Sequence, residues 1–151
     1  SIIEPSTLKQ SRYNYIFRNL FQLATILELK STLSIELYNA YHNKDNATLL
    51  NIHNEVLPTV ISRIQSFMKT FKTQWYLENK FQGFEVQSYR LGGLVTRLHE
   101  IKDILKMYLD KELPTIDMLD EKILNLAKDD DPLNGCVYYN QFVKYTTFGT
   151  F

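Results

Sequence analysis

Leu49, Ile52, Val56 or Leu57, Val60, Ile64, Phe67 or Met68, Phe71 and Trp75 recur at steps of three and four residues. That is the period of an α-helix with one buried face, and it is incompatible with the two-residue period of a strand. A helix this long, about 45 Å at ~1.5 Å per residue, needs partners along its whole length, which an antiparallel bundle provides. Pro58 lies inside the stripe. Because the stripe continues in phase beyond it, the proline predicts a kink and not a break.

Two more stretches repeat the period. Over residues 13–41, Ile16, Leu20, Leu23 or Ala24, Leu27, Leu33, Leu37 and Tyr41 fall at helical spacing, with Ser31, Thr32 and Ser34 marking a place for a bend. Over residues 86–108, Leu91, Leu94, Leu98, Ile101, Leu105 and Tyr108 form a coiled-coil-like seam. The polar run HNKDN at 42–46 reads as a turn, with Asp45 or Asn46 capping the next helix. Residues 79–83 read as the second connection, with Gly83 supplying a left-handed residue. Pro114 is expected to open a shorter helix carrying Ile116, Leu119, Ile123, Leu124 and Ala127. Asn134-Gly135 is a turn signal, and the aromatic stretch after it fits an extended segment or a short helix equally well. The expected fold is all-α: an antiparallel bundle of about four helices, two of them long, with an aromatic C-terminal tail. One helical domain is expected over residues 1–151, its core bundle at about 7–128 and its tail at 129–151.

Composition narrows the function classes. Among 151 residues, 17 Lys and Arg balance 17 Asp and Glu, so bulk charge drives binding neither to nucleic acid nor to an anionic membrane. No run approaches the ~18 apolar residues of a membrane span. Cys136 is the single cysteine, which excludes an internal disulfide and a thiolate metal cluster within one chain. It fits a reducing compartment, and a cytoplasmic location is expected on that basis. The chain does not begin with Met, and it is expected to be a piece of a larger protein.

Motifs for chemistry are scarce. His42, His53 and His99 are not paired at metal-ligand spacing, and no cofactor-binding or metal-binding set emerges. Asp120 and Glu121 are adjacent in an expected helix, so their side chains diverge by ~100° and cannot converge on one sugar ring. Asp129, Asp130 and Asp131 read as solvated charge at a helix end. Gly92-Gly93 has no preceding strand and is not a phosphate loop. No catalytic residue is therefore assigned in this chain. The unusual block is WYLENKFQGFEVQSYRLGGL, residues 75–94. Two glycines inside a helix cost roughly 1 kcal/mol each against alanine, which close approach of another helix or another domain would offset. Trp75, Glu85, Tyr89, Arg90, Gly92, Gly93 and Arg97 are the candidate packing or interface residues. A structural helix-packing motif is favoured over a surface that touches a catalytic partner.

ENKFQGFEVQSYRLGGL (78–94) closely resembles a segment near the C-terminus of a bacterial subgroup of glycoside hydrolase family 20, the β-N-acetylhexosaminidases. LATILELKSTLSIELYNAY (23–41), EVLPTVISRI (55–64), RLHEIKDILKMYL (97–109) and IDMLDEKIL (116–124) extend the likeness over most of residues 13–127. Phe81 stands where the family usually carries a proline after the Asn-Lys pair. The resemblance implies an upstream (β/α)8 catalytic barrel. There, an Asp–Glu pair assists attack by the substrate's own 2-acetamido group on a terminal β-linked N-acetylhexosaminide. It implies that this chain is the helical C-terminal domain alone, inactive by itself and without a cofactor. That domain would pack on the barrel of the same parent chain, build a homodimer, or lend a rim residue to the active site, with His42 the weak candidate. The rival expectation is a stand-alone helical module that binds a protein or peptide.

Overall fold

The computed structural model describes residues 12–121, and all regular structure among them is helical. Helix α1 spans Asn14–His42. Helix α2 (Asn46–Asn51), a π-helical turn (Ile52–Val56) and α3 (Leu57–Glu78) follow one another without a gap. Helix α4 spans Phe84–Leu109, and α5 is a single turn, Asp117–Asp120. Counting the run from Asn46 to Glu78 as one, there are four helices among the described residues, three of them substantial. Successive long helices run antiparallel: Tyr15 meets Glu78 at one end of the α1–α3 pair, and Thr25 meets Arg63 further along.

The π turn has a local cause. Pro58 has no N–H to give to the carbonyl four residues back, at Asn54. Just before it, the Leu57 N–H reaches back five residues to the Ile52 carbonyl. The irregularity expected at Pro58 therefore sits one turn earlier, and the proline occupies the first turn of α3, where a missing donor is harmless. By contrast, α1 runs through Ser31, Thr32 and Ser34 without interruption, and all three are exposed.

Both connections that leave a lysine at the helix end close the same way. After α1, the Lys44 N–H bonds the Tyr41 carbonyl and the Asp45 N–H bonds the Ala40 carbonyl. After α4, the Lys111 N–H bonds the Tyr108 carbonyl and the Glu112 N–H bonds the Met107 carbonyl. These are Schellman closures, with Lys44 (φ 54°) and Lys111 (φ 62°) in the left-handed position that glycine usually fills. Asp45 then caps α2, accepting from the Thr48 N–H at 3.1 Å and its hydroxyl at 2.6 Å. The Thr48 hydroxyl first, then the Thr48 N–H, holds the Asp45 carboxyl below its ordinary range.

The core gathers where α2 and the first half of α3 meet α1 and α4. Leu49, Ile52, Leu57, Val60, Ile64 and Leu105 are fully buried, with Ile26, Leu33, Ala40, Leu98 and Ile116 around them. Each such side chain contributes on the order of 1.5–3 kcal/mol relative to exposure. Tyr41 is buried beside them, and its hydroxyl accepts the Ile116 N–H at 3.0 Å. That bond holds Ile116 in place ahead of the next helix, so α5 starts at Asp117 and not at Pro114.

The first half of α1 departs from the expected face. Leu20, Leu23 and Leu27, read from sequence as core positions, are exposed. The side turned inward carries Asn19, Ile26, Leu33 and Ala40, one every seven residues. Helix α1 is apolar on two sides, and periodicity alone does not say which side is buried. The chain divides into two units, Ser1–Leu119 and Asp120–Phe151. Ile123, Leu124, Ala127, the Asp129–131 run, Asn134-Gly135, Cys136 and the aromatic tail lie outside the described residues. No helix among the described residues is long and apolar enough to cross a membrane.

Candidate functional site

The end of the bundle around residues 79–83 carries Trp75 and Glu85 of the residues singled out from sequence. Trp75, on the last turn of α3, packs edge-on against Phe71 and at a tilt against Phe84. Its indole N–H donates to the Lys80 carbonyl at 3.0 Å, tying the connection to the helix. Gly83 has φ 98°, a backbone that favours glycine, and a Cβ there would sit tightly against the Trp75 ring at 3.3 Å. Glu85 reaches back to accept the Gly83 N–H at 2.8 Å, satisfying one of the free donors at the start of α4. Tyr76 and Phe81 stack on each other beside Phe84, with the Lys72 ammonium over the Tyr76 ring. A shallow groove of about 420 Å³ runs along this cluster past Met68, Lys69, Ser88 and Leu91.

Tyr89 and Arg90 lie further along α4 and are exposed. Gly92 and Gly93 have open space where side chains would be. No neighbouring helix within the described residues approaches them, so the close approach expected there is not made inside this bundle. Arg97 pairs with Glu100 at 2.9 Å one turn on and touches the Met118 sulfur, beside a groove of about 230 Å³ between α1, α4 and residues 116–119. His42 sits at the other end of the molecule. It packs on Tyr38 and Tyr41 and donates from Nε2 to the Leu119 carbonyl at 3.0 Å.

Between the two ends, α1 and α3 are joined by a polar ladder that sequence reading missed. Tyr15 donates to Glu78 at 2.8 Å, Asn19 to Gln74, the Thr70 hydroxyl to Gln22, and Arg63 to the Thr25 carbonyl and to Glu28. Asn19 is buried, and its side-chain oxygen has no hydrogen-bond partner. Hydrogen bonds from Gln74 and then Tyr15 hold Glu78 below its ordinary value, and the same Glu78 bond raises Tyr15. The only sequence hint was a scatter of Asn, Gln and Thr on two otherwise apolar helices.

Every Asp and Glu among the described residues is exposed, Asp120 and Glu121 included. A glycosidase acid needs burial or a neighbouring charge to raise its pKa toward neutrality. No three His, Cys, Asp or Glu groups cluster to hold a metal ion among the described residues. A comparison with curated proteins finds no match. The family model described as the Glycoside Hydrolase 20C C-terminal domain matches residues 3–137. An all-helical bundle matched to that model over most of its length belongs to the Glycoside Hydrolase 20C C-terminal domain family.

Proposed function

We propose that this chain is the non-catalytic C-terminal domain of a bacterial β-N-acetylhexosaminidase. In this reading the parent removes terminal β-linked N-acetylhexosamine by the substrate-assisted route, in a barrel upstream of this domain. The helical domain packs on that barrel and supports it. The match over residues 3–137 carries the reading.

The test is an assay of two proteins on a chromogenic β-N-acetylglucosaminide: the complete polypeptide and the 151-residue chain. The complete polypeptide is expected to turn over the substrate, and the 151-residue chain is expected to show only the background rate. Turnover at an enzymatic rate by the shorter chain would overturn the non-catalytic role. A complete polypeptide without activity on β-N-acetylhexosaminides would overturn the substrate class.

A further inference from the structure

The groove of about 420 Å³ between α3 and α4 has an aromatic end and an aliphatic end. At the aromatic end Phe81 is 76% exposed. Its ring stacks on Tyr76 with centroids 5.4 Å apart, so one face is used and the other is open to solvent. A ring exposed to that degree adds little to the core. It is held in place all the same. The Trp75 indole fastens the Lys80 carbonyl just before it, and Glu85 fastens the Gly83 N–H two residues after it. At the aliphatic end, towards the middle of α3, lie Met68 and Leu91. The rim carries both signs. Lys69 and Lys72 stand on the α3 side, and neither pairs with a carboxylate among the described residues. Glu85 and Ser88 stand on the α4 side. Glu85 accepts the Gly83 N–H with one oxygen, and Ser88 donates its proton to the Phe84 carbonyl, so both retain acceptor capacity.

We propose that this groove binds β-linked oligosaccharides of N-acetylhexosamine. The lining selects the chemistry. A polyanion would meet the Glu85 carboxylate. A wholly apolar ligand would strip water from Lys69, Lys72 and Glu85 without replacing its hydrogen bonds. A neutral, hydroxyl-rich ring with one apolar face avoids both costs. The C–H face of a pyranose, slightly positive, lies against the negative face of an open aromatic ring such as Phe81. Its hydroxyls both donate and accept, which suits ammonium groups on one wall and acceptors on the other. An acetamido methyl finds apolar contact at Met68 and Leu91. The volume falls at the lower end of the roughly 300–1,000 Å³ typical of small-molecule sites. Because Phe81 is already fixed on both sides, little ordering is left to oppose binding. The choice of N-acetylhexosamine among sugars rests on the reading above of the parent's substrate.

Trp75 is the single tryptophan and packs on Phe84, which lines the groove, so its emission reports what enters there. The 151-residue chain is titrated with di-N-acetylchitobiose. A saturable change in Trp75 emission is expected. Phe81→Ala should weaken binding at least five-fold and leave helical circular dichroism unchanged, since the ring is outside the core. Tyr89→Ala, equally exposed but away from the groove, should leave the binding midpoint where it was. Cellobiose, the same linked rings without acetamido groups, should bind at least five-fold more weakly. No saturable change would overturn the proposal, as would binding that survives Phe81→Ala. Cellobiose binding as tightly as di-N-acetylchitobiose would overturn the sugar class. Hydroxyl-radical labelling of Phe81 should be equal in the 151-residue chain and the complete polypeptide. Protection in the complete polypeptide would give the groove to the catalytic domain and overturn the proposal. Hexosaminidase activity is scored separately. An active polypeptide whose groove takes no di-N-acetylchitobiose sinks the groove alone, and an inactive polypeptide whose groove binds it sinks the parent's substrate class alone.

Discussion

The end of the bundle beside residues 43–45 is dry, whereas the end beside residues 79–83 is built from polar pairs and stacked rings. At the dry end Leu49, Ile52, Leu57, Val60, Ile64 and Leu105 are sealed from solvent. At the other end α1 meets α3 through Tyr15–Glu78, Asn19–Gln74 and Gln22–Thr70, and the apolar contacts are the partly buried rings of Phe71 and Trp75 against the buried Phe84. The difference separates two jobs. Apolar burial is strong and non-directional, so the dry end supplies stability. Hydrogen-bonded pairs are weak in net terms but directional, so the polar end sets how α1 lies along α3. It also leaves apolar rings and leucines facing outward.

Truncation should expose that difference most clearly. Leu57→Ala is expected to cost about 3 kcal/mol, from lost burial plus the cavity left behind, and Trp75→Ala about 2 kcal/mol because its ring is only partly buried. Urea unfolding of the two variants side by side measures the gap, and equal losses would break the division between ends. A smaller change, of opposite sign, is expected on α4. Open space surrounds Gly92 and Gly93, so Gly92→Ala and Gly93→Ala should each raise the stability of the 151-residue chain by about 0.5–1 kcal/mol. A loss instead would mean that some neighbour does approach α4 there.

The smallest effect should come from Tyr15→Phe, and its pH dependence carries the information. Glu78 is held low when folded, so its contribution is present above its ordinary value and fades as pH falls through the lowered one. Tyr15 is raised, so its contribution is present below its ordinary value and fades as pH rises through the raised one. The variant's lower melting midpoint should therefore show between about pH 4.5 and about pH 10 and close outside that window. A deficit independent of pH would assign the ring, and not the hydroxyl, as the stabilising group.

The dry end was largely legible in the sequence, because Leu49, Ile52, Leu57, Val60 and Ile64 have no competing stripe on their helix. The first half of α1 was not, because Leu20 and Leu27 make as good a stripe as Ile26 and Leu33, and only the partner helix decides between them. The caps divide in the same way. Gly83 announced its left-handed backbone, whereas Lys44 and Lys111 take the same region while carrying side chains that ordinarily avoid it. Of the candidate interface residues, Trp75 and Glu85 belong to the 79–83 connection, while Tyr89, Arg90, Gly92 and Gly93 lie open on α4. A lone sequence shows that two mid-helix glycines need a reason without showing where that reason lies.

The π turn at Ile52–Val56 sets the phase between the two ends. Ile52 and Leu57 are both fully buried although five residues separate them. A regular α-helix would turn them about 140° apart, and the wider turn brings them back to one side. Everything that follows on α3, from Arg63 through Trp75 to Glu78, inherits that angular offset. Winding the same residues as a regular α-helix, with none deleted, would leave the helix intact but rotate the far end by about 100° against the near one. The core and the polar ladder could then no longer both face α1.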